Sequence, residues 1–316
     1  MDSMTPTDPD SSSEARTGVF TGPRRDAAYG RGVLLVMLAG VFWSLGGILV
    51  RNVETADEWQ ILFIRSVSAA ATFLTVLLWR YRLGVAGAFA RAGGVAVLGG
   101  ASLSLGFTGF IFAMIHTSIA NAVFILSAAP LGAALLAWVL LREPVTRVTW
   151  IAAAVAMLGI GVMVAGGVAA GTLFGNLMAL LAMAGFCGFA TALRAGRGQD
   201  MLPAACLAGL FAGGFAGLMA SDLSVSLNDA AVCVAMGVVQ IGAGMVVFTR
   251  GSKHVPAAEL ALLSLTEVVL APLWVWIGIG EVPTVATLVG GAIVFAALAW
   301  RASLGLRRKP PPFGSV

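Results

Sequence analysis

Charge is what this sequence has least of: 11% of its 316 residues are Asp, Glu, Lys or Arg, against about a quarter in soluble globular domains. With 59% hydrophobic residues and a mean hydropathy of +0.95, the chain reads as an integral membrane protein. Cysteine is scarce too. Cys187, Cys206 and Cys233 stand singly in separate apolar runs, and without CxxC spacing they are packing residues rather than a zinc or redox pair. The only histidines are His116 and His254, with no HExxH, no paired intramembrane aspartates and no cysteine–histidine neighbourhood on one helix. A membrane enzyme is left without a catalytic set, and no metal or cofactor is called for. The phosphate-binding loop G-x-x-x-x-G-K-[ST] is missing, as is any soluble stretch long enough to hold one, so an ATP-driven pump is excluded.

What is present points the same way. Forty glycines lie in apolar runs without a Gly-X-Y period, as suits transmembrane helices whose backbones approach closely. The net charge of +4 and pI near 9.4 would suit nucleic acid only if the basic residues formed one patch. They are scattered between apolar segments, so no nucleic-acid partner is expected. The opening MDSMTPTDPDSSSEARTGVFTGPRRDAA is polar, with neither an apolar core nor a small-residue cleavage site. It reads as a disordered cytoplasmic tail rather than a signal peptide.

About 20 apolar residues cross a hydrocarbon core of roughly 30 Å. Runs of that length give ten candidate spans: 33–51, 59–79, 94–114, 118–141, 147–168, 173–193, 202–221, 230–250, 257–278 and 284–304. Pro203 near a first helical position, and Thr146 and Asp229 as N-caps, mark several starts. Lys and Arg stay on the cytoplasmic side. With the N-terminus inside, 17 of the 19 basic residues fall in inner segments, Arg51 alone in an outer loop and Arg65 within a helix. Adding or deleting one span would put the downstream basic loops outside, so both termini are expected in the cytoplasm.

Two stretches 138 residues apart are alike: SIANAVFILSAAPLGAALLAWVLLREPVT (118–146) and PAAELALLSLTEVVLAPLWVWIGIGEVPT (256–284). Both end in E-x-x-T, pairing Glu143 with Glu281, Thr146 with Thr284 and Asn121 with Glu259. Five spans per half place Glu143 inside and Glu281 outside, as an inverted repeat requires. Such repeats are a signature of secondary transporters, which bind solute near the midplane between the halves.

These two stretches, together with GVVQIGAGMVVFTRGSKHVPAAELALLSLTEVVLAPLWVWIGIGE (237–281), resemble the EamA-type members of the drug/metabolite transporter superfamily. The likeness covers roughly residues 32–304 and is most specific in the two E-x-x-T segments. It implies an all-α integral membrane protein of ten transmembrane helices, built as two inverted five-helix repeats around a central cavity, and export or exchange of amino acids or related metabolites. The implied organisation is a tail at 1–31, a first EamA repeat at 32–168, a second at 172–304 and a tail at 305–316. One position departs from the family pattern of Glu-Pro in the ninth helix: Val268 follows Glu267, and proline appears at Pro272, so a kink is expected to be displaced.

The candidate site is read from depth. Glu267 lies ten residues past Ala257, near the middle of the hydrocarbon core, where an acidic group costs roughly 2.5–3.5 kcal/mol on insertion scales and needs a cavity or a buried partner. It reads as a solute contact or a proton-coupling group, or else as a protonated acid bonded to a neighbouring helix. Gln240 and Trp43 fall at the same depth and offer an amide and an indole, though each also reads as packing. Arg65, about 9 Å below the outer end of its helix, either snorkels to the interface or acts as a counter-charge for a carboxylate. Thr266 and Glu267 share one broad face with Glu259, which caps its helix or marks the cytoplasmic mouth of a cavity. Glu143, Glu281, His116 and Asn176 read as structural. Gly209, Gly213 and Gly217 form a close-packing ladder that does not say which chain the neighbour belongs to.

The expected function is secondary active or facilitative transport by alternating access, exporting amino acids or related small metabolites. The alternatives are drug or cation efflux, or a membrane receptor or structural protein without flux. The expected partners are the solute, the bilayer and, as a candidate, the proton. One chain carries both repeats, so a monomer can complete the pathway. A bacterial-type inner membrane is the expected location.

Overall fold

The computed structural model describes residues 24–50, 52–117, 119–164, 172–279 and 284–307. Residues 1–23 and 308–316, Arg51, and Glu281 with its adjoining loop lie outside the described residues. Among the described residues the chain is helical throughout, with no strand. In order come α1 (Arg24–Ser44), α2 (Gly46–Val50), α3 (Glu58–Tyr81), a single 3₁₀ turn (Arg82–Gly84), α4 (Val85–His116), α5 (Ile119–Leu126), α6 (Ala129–Leu141) and α7 (Arg147–Val164). Then follow α8 (Leu173–Ala195), α9 (Leu202–Met219), α10 (Leu227–Ala235), a π-helical segment (Met236–Ala243), α11 (Gly244–Gly251), α12 (Ala257–Ser264), α13 (Thr266–Ile279) and α14 (Val285–Arg307).

Eight stretches among the described residues are helical, long and apolar enough to cross a membrane. One of them, Glu58–His116, is 59 residues long and contains the 3₁₀ turn; the apolar helix Arg147–Met163 falls just short of the length. Several apolar runs read as single helices are interrupted. Run 33–51 breaks at Leu45, run 118–141 at Ser127 and Ala128, and run 257–278 at Leu265. The kink of the last run therefore precedes Glu267 and does not sit at Pro272. α4 departs from helical geometry at Gly93, whose φ is +59°, a left-handed value that glycine adopts without a Cβ penalty. α1 starts at Arg24, so residues 24–31 are helical and not part of a tail; Tyr29 there packs against the main core and bonds to a distant helix.

Local chemistry sets the helix starts. Asp57 accepts from the Trp59 and Gln60 amides (2.9 and 2.8 Å), while Gln60 returns an acceptor to the Asp57 amide (2.9 Å), a reciprocal capping box on α3. Thr172 caps α8 through the Gly175 amide (3.1 Å), and Thr146 accepts from the Thr149 amide (3.3 Å) as expected. Asp229 is not the cap of its helix. Ser226 has that role, accepting from the Asp229 amide at 3.0 Å. The Asp229 carboxylate turns to the 52–57 loop, where the amides of Glu54, Thr55 and Ala56 and the Thr55 hydroxyl all donate to it (2.6–3.1 Å).

Packing follows the small residues. α4 lies along α8 and α9, α3 along α9, α7 along α14, α1 along α11, and α6 along α8 and α12. Where α4 crosses α8, a Cβ on Gly185 would strike the backbone of Gly106, and where α7 crosses α14 a Cβ on Gly290 would strike the Gly159 carbonyl. The ladder on α9 faces α3 of the same chain: a Cβ on Gly209 would meet the Ser66 carbonyl at 2.8 Å. The main core draws on α1, α3, α4, α8, α9 and the π segment, and a smaller one sits between α7, α12, α13 and α14.

Candidate functional site

One set of polar groups buried inside this apolar bundle lies around the end of α1. Trp43 is buried, its ring 4.9 Å from Phe248 on α11 and edge-on to Phe186 on α8 at 5.9 Å. The rings pass so near α11 that a Cβ on Gly244 would meet the indole nitrogen. Gln240, in the π segment, donates from Nε2 to the Trp43 carbonyl at 3.4 Å. A π segment offsets the side-chain register of the following residues, and such bulges often occur where a side chain must be aimed. Trp43 Nε1 and Gln240 Oε1 are both buried and have no hydrogen-bond partner. Next to them, Trp274 of α13 donates to Ser44 Oγ (2.7 Å).

Arg65, on α3, is 3% exposed. Its guanidinium lies 5.2 Å from the Phe107 ring centroid and 5.5 Å from that of Phe110, both on α4, and Nε and Nη1 have no acceptor. It does not snorkel to the interface. The neighbouring Ser66 Oγ is also buried without a partner. The π segment that carries Gln240 packs on this turn of α3, since a Cβ on Gly237 would strike the Arg65 carbonyl. Glu267 is partly buried, and its backbone amide packs against Gly40 of α1. Thr266 is buried and spends its hydroxyl on the Leu263 carbonyl (2.8 Å), with Gly40 of α1 against its Cβ.

The structure therefore brings Trp43 and Gln240 into contact, sets the backbone of Arg65 beside the segment that carries Gln240, and places Thr266 and Glu267 against Gly40 of α1. Buried polar atoms without partners are uncommon in native proteins and need an explanation. Four residues carry them here, and Trp43, Arg65 and Gln240 are three of those four.

Glu259 belongs elsewhere. It is 6% exposed and caps nothing: Pro256 holds the N-cap position of α12 without a side-chain bond. Its carboxylate accepts from Tyr29 Oη of α1 (2.7 Å) and from Arg301 Nη2 of α14, and Arg301 Nε donates to Thr149 Oγ1 of α7 at 3.0 Å. This four-helix junction was missed by sequence reasoning. Arg301 lies near the end of an apolar run, where it reads like the other cytoplasmic cations, and the isolated Tyr29, one of two tyrosines, is the available signal. Glu143 pairs with Arg194 Nε at 2.7 Å. Thr117 donates to Asn176 Oδ1 at 2.9 Å, and His116 Nε2 lies 3.4 Å from Glu58 Oε1, so the outer positions tie helix ends together.

A bundle with this many long apolar helices is that of a multi-pass membrane protein. Residues 30–165 match the model of the EamA-like transporter family. Over that stretch the chain is similar to EamA-like transporters. No curated protein matches the chain. Among solved structures, a crystal structure described only as that of a protein aligns with a TM-score of 0.70 at 17% identity, covering 87% of this chain and 98% of its own. That likeness speaks to the fold alone.

Proposed function

We propose that the chain is a gradient-driven or facilitative exporter of amino acids or related small metabolites, working by alternating access between two inverted five-span repeats, 32–168 and 172–304. The observation that carries the reading is the group of unpartnered polar atoms on Trp43, Arg65 and Gln240, enclosed by helices of both halves of a chain similar to EamA-like transporters. Glu267 is the group assigned to coupling, since it is a carboxylate partly buried in an apolar helix, and Thr266 shapes the wall beside it. Glu259 stands at the inner end of this pathway.

Three features support the repeat. The helix breaks at Ser127 and Leu265 correspond in the 138-residue register. Thr146 and Thr149 share a 3.0 Å hydroxyl contact that Thr284 and Thr287 repeat at 3.0 Å in the second half. Helix pairing is also balanced, with α3 on α9 and α7 on α14 each matching an element to its counterpart five spans on. In this reading Glu58–His116 supplies two spans and Arg147–Val164 a further one, making ten, with both termini in the cytoplasm of a bacterial-type inner membrane and a monomer sufficient.

Proton and solute are coupled if they stabilise different states of one two-state scaffold, because a ligand shifts an equilibrium only by its differential affinity. In proteoliposomes preloaded with labelled amino acids, efflux is expected to saturate and to accelerate when unlabelled solute is added on the other side. Glu267→Gln is expected to insert normally and to lose the response to an imposed pH gradient. Flux that Glu267→Gln leaves unchanged at every pH makes the residue structural. The ring cluster of Trp43, Phe186 and Phe248 favours a second reading, efflux of an organic cation. Cation flux without amino-acid flux would install it instead.

A further inference from the structure

We propose that Arg65 is the recognition site for a carboxylate on the transported solute. The inference rests on the transporter reading and deepens it by naming an obligatory group on the cargo. A guanidinium that is 3% exposed has given up its water, and a buried charged donor without an acceptor is among the costlier arrangements in a protein. Phe107 and Phe110 at 5.2 and 5.5 Å return part of that cost through their ring faces, but they offer no acceptor oxygen. Arg65 Nε and Nη1 find none elsewhere among the described residues.

The neighbours say what kind of anion fits. None of the ion pairs among the described residues involves Arg65, and its Nε and Nη1 have no acceptor, so those two donors are not occupied. A planar carboxylate presents two acceptors to a planar guanidinium, the match for which Arg is better suited than Lys. Phe107 and Phe110 beside the guanidinium offer apolar walls for the remainder of a small organic acid. An inorganic anion would use the cation but none of the apolar surface. A simple organic cation would meet Arg65 as a like charge and leave its donors unsatisfied.

The test compares solutes that differ only at the carboxylate. Purified full-length protein is titrated calorimetrically with a panel of amino acids, and with phenylalanine and leucine beside their decarboxylated amines and their methyl esters. Binding of at least one amino acid is expected, weakened about tenfold or more in its amine and ester. Arg65→Gln is expected to abolish that difference, and Arg65→Lys to keep part of it, because the charge stays while the fork geometry goes. If Arg65→Gln fails to insert, the wild-type comparison and Arg65→Lys still decide. Equal binding of acid, amine and ester overturns the proposal, as does Arg65→Gln binding that retains the full preference, or the absence of carboxylate-dependent binding across the panel. Counterflow of amines or lipophilic cations in proteoliposomes separates the failures: flux there keeps the transporter reading and removes only the carboxylate, whereas no flux of any solute removes both.

Discussion

Glu259 and Arg301 are valuable only together. Both are nearly inaccessible, at 6% and 5% exposure, and each is the partner that permits the other's burial. Removing one member of a buried pair leaves an uncompensated charge, at about 3–5 kcal/mol, whereas removing both leaves none. Glu259→Gln or Arg301→Gln alone is thus expected to lower the melting temperature of purified protein sharply, and the double variant to recover part of the loss. Additive losses would show that the two side chains are not coupled. A milder effect belongs to Asp200, in the 196–201 loop. Burial works against its charge, yet the Leu202 amide, the Tyr81 hydroxyl and Arg80 outweigh it and leave its pKa below the usual 3.8. A lowered carboxylate pKa adds stability that is present above the unfolded value and fades as pH falls through the folded one. Asp200→Asn should therefore reduce the melting temperature at neutral pH and converge with the parent below about pH 3.8; a constant offset at all pH values would contradict this. Depth along an apolar run points to Trp43, Gln240 and Glu267 as candidates, and the structure shows that Trp43 and Gln240 touch. Depth does not reveal that Glu259 faces Arg301 and Tyr29, because side-chain partners 42 and 230 residues away depend on helix rotation, which a run of apolar residues on every face does not encode.

The elements themselves were legible as runs, since length and hydropathy are set by the bilayer and not by the fold. Their interruptions were not. The break at Leu265 is flanked by Ser264 and Thr266, whose hydroxyls donate to the Ala261 and Leu263 carbonyls, back-bonds that bend a helix but that Ser and Thr also make in unbroken ones. The π segment at Met236–Ala243 carries mostly apolar residues. Small residues are the visible trace of helix packing. On α14, a Cβ at Gly290 would meet the Gly159 carbonyl and the Met163 amide, both backbone atoms unable to give way, whereas one at Gly214 on α9 would meet nothing within 4 Å. Gly290→Leu is thus expected to destabilise by about 1–3 kcal/mol through forced separation of α7 and α14. The same substitution at Gly214 places a leucine at an open face and is expected to be close to neutral. Thermal unfolding of the two variants in the same detergent compares them directly, and equal losses would mean that α7 and α14 are not held at backbone contact.

At the scale of the molecule the open quantity is the number of crossings, and the two counts make opposite statements about two loops. If Glu58–His116 crossed once, its 59 residues would extend about 88 Å through a hydrocarbon core of roughly 30 Å, which the turn at Arg82–Gly84 makes unnecessary. If Arg147–Val164 also failed to cross, there would be eight spans, with Thr117 inside and Arg147 outside. Ten spans reverse both, placing Thr117 outside and Arg147 inside, in keeping with the retention of cationic loops in the cytoplasm. Glu54 and Asn228 are outside, and Lys253 inside, under either count, so they calibrate the labelling without deciding it. Single cysteines at these five positions, in a background lacking Cys187, Cys206 and Cys233, are treated in intact cells with an impermeant thiol reagent. Labelling is expected at Glu54, Thr117 and Asn228 and not at Arg147 or Lys253 until the membrane is opened. Labelling of Arg147 with protection of Thr117 would establish the eight-span count, place two arginines, Arg142 and Arg147, on the wrong side, and remove the inverted relation of the two halves on which alternating access depends.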